Sequence, residues 1–143
     1  MNRLHGKKFS LFLSVASAAL AVAPILYMAN IGGQLAEYPA EYIPSIICAV
    51  LSIAAQIAGI VSAGKSFSSI FHILAAVLLG AAFTFYLLGG ILSLVDFFCG
   101  IVMFGDPQQA PAIIGFGVIM LVAVISAICV CFLKKGEKAA AKA

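Results

Sequence analysis

From Phe9 to Leu133 the chain carries only five charged side chains: Glu37, Glu41, Lys65, Asp96 and Asp106. A soluble domain has about a quarter of its residues charged. Here the whole chain has 9%, with 64% hydrophobic residues and a mean hydropathy of +1.20. So few charges cannot clothe a water-facing surface. The chain reads as one membrane domain over residues 1–143, all-α, a four-span bundle of transmembrane helices.

A spanning helix needs about 20 apolar residues. Four runs meet that length, at about 9–29, 43–63, 69–94 and 111–133. Pro44 and Pro111 fall in the first turns of spans two and four, where a missing N–H costs nothing. The short connection from Ser62 to Ser69 makes spans two and three an antiparallel hairpin. Span three is ambiguous at its far end. Apolar sequence continues through Gly89-Gly90 to Phe104, so the segment 89–104 either extends the helix or breaks off and lies on the outer surface. The basic, apolar and small-residue pattern of the N-terminus imitates a signal peptide. Pro24 disfavours cleavage after Ala23, and the apolar run continues to Ala29, so the first span is expected to be retained.

The eight bases set the expected orientation. Arg3, Lys7 and Lys8 precede span one, Lys65 separates spans two and three, and Lys134, Lys135, Lys138 and Lys142 follow span four. The other two connections carry Glu37, Glu41, Asp96 and Asp106 and no base. Cytoplasmic loops retain Lys and Arg, so both termini are expected inside, in the plasma membrane. The net charge of +3 is no nucleic-acid signal, because the bases are juxtamembrane. Each is worth on the order of 1 kcal/mol against anionic headgroups.

Span two holds the clearest pattern. Ser45, Cys48, Ala49, Ser52, Ala55, Gln56, Gly59, Ser62 and Ala63 recur at helical spacing and form one small, polar face. Ile46, Ile47, Val50, Leu51, Ile53, Ile57, Ile60 and Val61 fill the other. Small residues let neighbouring helices approach in lipid while large ones look outward. Span one has a similar stripe at Ser10, Ser14, Ser17, Ala18 and Ala21. The plain reading of both stripes is helix packing, and the sharper one is a polar path for a solute or ion. Gln56 is the most polar side chain deep in any span. It needs a partner, and an interhelical hydrogen bond worth about 0.6–2 kcal/mol competes with contact to a substrate.

Other candidates are weaker. His72 starts a ladder through Ala76, Gly80 and Thr84, and lies shallow enough to snorkel to the interface; an ionisable residue in a span is otherwise a functional candidate. Tyr38 and Tyr42 fall in the tandem AEYP and AEYIP of the first outer connection, where an interface belt competes with a ligand-facing loop. Asp96 and Asp106 read as solvated loop charges, with cation or partner binding as the alternative. Cys48 and Cys99 both lie toward the outer face and could bridge in an oxidising compartment. Cys129 and Cys131, just before Lys134-Lys135, sit in an acylation-like context or simply pack.

Catalytic motifs are lacking. There is no nucleophile elbow, phosphate loop, HExxH or CxxC, and no metal-ligand spacing. No acid lies within spans one, two or four, which sets the chain apart from small multidrug exporters and rotor-ring subunits. The outline resembles that of small tetraspan families, claudin-like and MARVEL-type proteins among them. The resemblance is topological only, since the chain has no Trp and no cysteine in its first outer connection. The expectation is a non-enzymatic accessory or scaffold subunit, without cofactor or metal. Its partners would be the lipid bilayer and another membrane protein or a second copy. A small transporter or channel subunit working as an oligomer is the alternative.

Overall fold

The computed structural model describes residues 2–31, 42–62, 67–103 and 105–142, with side-chain surroundings for 8–27, 42–62, 67–103 and 105–133. Glu37, Tyr38, Glu41, Ala63 and Lys65 lie outside the described residues. All regular structure among the described residues is helical. The helices are α1 (Asn2–Leu20), α2 (Ala23–Ile31), α3 (Tyr42–Val61), α4 (Ser68–Cys99) and α5 (Ala110–Lys142), with a 3₁₀ turn at Pro107–Gln109 before α5. Four stretches are long and apolar enough to cross a membrane: Lys8–Tyr27, Tyr42–Val61, Ser68–Cys99 and Pro107–Leu133.

The first span is two helices rather than the single run expected. Pro24 has no N–H to donate back to Leu20. The ladder is patched there by a tight step, Val22 N to Ala19 O at 3.3 Å, before Leu26 N resumes the α spacing to Val22 O at 3.0 Å. Span three, by contrast, is unbroken for 32 residues. Gly89-Gly90 does not interrupt it, because those glycines serve packing. A Cβ on Gly89 would lie 2.7 Å from the Tyr42 ring, and one on Gly90 would lie 2.8 Å from Ile113. They form the notch that receives α3 and α5.

α4 packs between α3 and α5, and α1 closes the bundle against α5 and α3, diagonally across from α4. The end where α1 begins and α5 finishes is the terminal end here; the other is the distal end. The small face of α3 is the buried one. Ser45, Ala49, Ser52, Ala55, Gln56 and Gly59 are buried, while Ile47, Val50, Leu51, Ile57 and Val61 are exposed. Ser10, Ser14, Ser17 and Ala21 are likewise buried on the first span.

Three serine hydroxyls fasten α3 to α4. Ser45 Oγ donates to Ala82 O at 2.7 Å, Ser52 Oγ to Ala75 O at 2.9 Å, and Ser68 Oγ to Gly59 O at 2.9 Å. Ser45, Ser52 and Gly59 are one heptad apart, and Ala82, Ala75 and Ser68 step back by the same heptad. A heptad repeat keeps one seam facing its partner along two supercoiling helices. The distal part of the core is aromatic. Tyr27 packs against Tyr42, Tyr86 and Phe116 at centroid distances of 5.3–5.6 Å, and Tyr86 Oη donates to Ile113 O at 3.1 Å.

Candidate functional site

The centre of the bundle is polar. Ser14 and Ser17 of α1, Gln56 of α3, His72 and Ala75 of α4, and Ala127 and Val130 of α5 line a common space too narrow for a water molecule. Each of the four long helices contributes to it. Small residues bring the backbones close there, which is why polar groups can reach across.

One chain of hydrogen bonds runs through all four helices. Ser52 Oγ donates to Ala75 O on α4 at 2.9 Å. Ser17 Oγ donates to Ala123 O on α5 at 3.0 Å. Both hydroxyl protons are thereby committed, and both oxygens are left as acceptors. Gln56 supplies the donors, its Nε2 lying 3.3 Å from Ser17 Oγ and 3.5 Å from Ser52 Oγ. The amide orientation follows from this, because only its NH2 side can face two hydroxyls that have already donated. Oε1 then points away and has no hydrogen-bond partner among the described residues.

His72 is buried at 3% exposure, so its side chain does not snorkel. Its ring lies over Gly59, where a Cβ would approach Nε2 at 2.8 Å. The glycine clears the space that holds the imidazole inside. The ladder from His72 does not stay with it. Each i, i+4 step turns about 40° around a helix of 3.6 residues per turn, so Thr84 emerges on the exposed surface. Its Oγ1 donates to Gly80 O at 3.0 Å, within its own helix. Ser52, Gln56 and His72 therefore come together, and Thr84 stands apart.

Three further expectations are corrected. Tyr42 is buried in the aromatic cluster, not laid in an interface belt. The ring fits there because Gly89 removes the side chain that would meet it. Asp96 is not a solvated loop charge. It is fully buried near the end of α4, and its Oδ2 accepts Met103 N at 3.1 Å and Gly105 N at 2.7 Å. Asp106 is exposed and caps the 3₁₀ turn, accepting Gln108 N at 3.0 Å. Cys48 and Cys99 are free thiols. The Ser45–Ala82 pairing puts Cys48 near Ala82, and the helix from there to Cys99 is about 25 Å long, far beyond the roughly 7 Å a disulfide spans between Cα atoms.

Sequence reasoning missed the Tyr27–Tyr86–Phe116 contacts and the carboxylate under the distal turn. Gly117 was the available signal for the first, a small residue whose Cβ would lie 3.7 Å from the Tyr86 ring. Gly100 before the turn was the signal for the second. Chemically the central site is a set of neutral hydrogen-bonding groups with one imidazole. Among the described residues no three of His, Cys, Asp and Glu gather as metal ligands.

This architecture defines a class: an all-helical bundle with four apolar helices, compatible with a multi-pass membrane protein. The chain matches no protein-family model, no curated protein and no solved structure.

Proposed function

We propose that this chain is a non-enzymatic integral membrane protein that works by association, as an accessory or scaffold subunit of another membrane protein or of its own oligomer. In this reading it sits in the plasma membrane with both termini cytoplasmic, as the Lys and Arg distribution favours. The observation that carries the reading is the bond chain Ala75–Ser52–Gln56–Ser17–Ala123. The polar groups at the centre are used to join helices, and the space between them is too tight for water. A four-helix bundle filled by its own side chains has no pore.

A second reading, a transport subunit, draws on Gln56 Oε1 and His72. A buried acceptor without a partner among the described residues, in a space that an imidazole also lines, is what a passing solute or ion would use. The deciding experiment is reconstitution of the purified chain into liposomes with a panel of ions and small solutes, paired with stoichiometry in native membranes by single-molecule photobleaching or intramembrane cross-linking. The association reading expects no protein-dependent flux and a defined complex. Saturable flux that vanishes in Gln56→Leu would replace it with the transport reading.

A further inference from the structure

The distal end of α4 runs past the ends of α3 and α5. Tyr42, the first residue of α3, packs against Gly89, and Ile113, in the first turn of α5, packs against Gly90. From Gly90 to Cys99, α4 continues for about 15 Å past both. Gly100 then turns the chain in the left-handed region, at φ 68°. The whole helix is about 48 Å long. A bilayer is about 40–45 Å thick with its headgroups, around a hydrocarbon core of about 30 Å.

The surface of this tip is apolar. Phe98, Val102 and Met103 are 74%, 76% and 73% exposed, and Phe97 and Ile101 are exposed beside them. They continue the outward surface of α4, which is apolar at Ile70, Val77, Leu88 and Val95 and carries the Thr84 hydroxyl between them. The one acid of the tip, Asp96, is turned inward and 0% exposed.

Five amides of the turn are paired within it or to the end of α4. Gly100 N and Ile101 N donate to Asp96 O. Met103 N and Gly105 N donate to Asp96 Oδ2, and Asp106 N donates to Ser93 Oγ at 3.2 Å. At membrane depth each unpaired N–H costs several kcal/mol, and non-helical chain is tolerated only where it is satisfied internally.

We propose that the tip comprising Phe97, Phe98, Ile101, Val102 and Met103 is a lipid-inserted anchor seated at the headgroup–acyl boundary of the leaflet at the distal end. α4, tilted, runs from the headgroups of the opposite leaflet to that boundary. The buried carboxylate of Asp96 supplies the acceptor that makes the turn fit for lipid. Asp106 marks the base, where the chain returns to α5.

The chain has no tryptophan, so Phe98→Trp introduces a single fluorophore at an exposed position. The full-length variant is reconstituted into phosphatidylcholine vesicles, with and without lipids brominated at defined acyl positions. The expected result is blue-shifted emission that loses most of its intensity to bromine near the headgroup end of the chains, less to bromine at the bilayer centre, and little to aqueous iodide. Red-shifted emission quenched by iodide would place the tip in water and overturn the proposal. Blue-shifted emission untouched by bromolipid would mean that protein covers the tip, and would overturn it equally. Val102→Trp, on the other side of the turn, is read in the same way and serves if Phe98→Trp fails to fold.

Discussion

Among the described residues Gln56 donates twice and receives nothing, and that imbalance decides what its loss should do. Ser17 and Ser52 keep their carbonyl acceptors when the amide is removed. Gln56→Leu also removes a buried acceptor that has no partner among the described residues. The net cost should then fall below about 1 kcal/mol, less than an interhelical bond suggests by itself. Ser17→Ala should cost more, about 1–2 kcal/mol, because it strips the 3.3 Å acceptor from a buried amide and the donor from Ala123 O. Thermal unfolding in detergent would compare the two, and a larger loss for Gln56→Leu would mean that its Oε1 has a partner. Gly59 gives a second test. Gly59→Leu drives a side chain into the His72 ring, and overpacking of this kind costs about 1–3 kcal/mol. Ile60→Leu, half-buried beside it, should leave the melting point nearly unchanged. Equal melting would mean that the α3–α4 seam is not where these contacts place it. At this scale the sequence was legible where polarity is rare, so Gln56 and the serines stood out. It was illegible for Tyr42, whose burial depends on a notch made by Gly89 far along the chain, and for Asp96, whose burial depends on a turn that no local pattern announces.

The elements were legible to the degree that one helix face differs from the other. On α3, small and large residues separate cleanly, so its buried face could be read before any partner was known. On α4 the buried face mixes small and polar residues at Ser68, His72, Ala75 and Ala82 with large ones at Leu79 and Tyr86, so it is recognised only with its partners in place. The break between α1 and α2 was written in Pro24, but an apolar run hides a kink because hydropathy does not change across it. The distal turn shows how one glycine can hold an element in place. A Cβ on Gly105 would lie 2.6 Å from Ser93 N, a backbone atom that cannot step aside. Gly105→Ala should lift the return segment off α4 and weaken its bonds to Asp96 and Ser93. Hydrogen exchange would report this as faster exchange at the amides of Met103 and Gly105, with those in the middle of α3 unchanged. Unaltered protection at Met103 would show that the turn does not depend on this close approach.

For the molecule as a whole, the proposed orientation makes the plainest test. In a cysteine-free background, Lys65→Cys should resist an impermeant thiol reagent in intact cells and react after permeabilisation. Glu37→Cys should do the reverse. Labelling of Lys65→Cys in intact cells would invert the assignment. The four-span architecture was legible because lipid imposes length and apolarity on every helix alike. Function was not, because the same solvent selects small and polar residues for packing whether or not anything passes between the helices.

The serine ladder between α3 and α4 bears on how the chain is assembled. Two greasy helices in lipid can slide past each other with little to stop them, since one apolar contact substitutes for another. Hydroxyls aimed at particular carbonyls do not substitute. A slip of one residue breaks all three bonds at once, and only a jump of a whole heptad, about 10 Å, would bring any back. The pair is therefore self-registering, like a vernier scale that reads true at one setting. With a short link between its helices, it can find that setting before α5 has been made. Each later helix then docks on a template whose alignment is already decided.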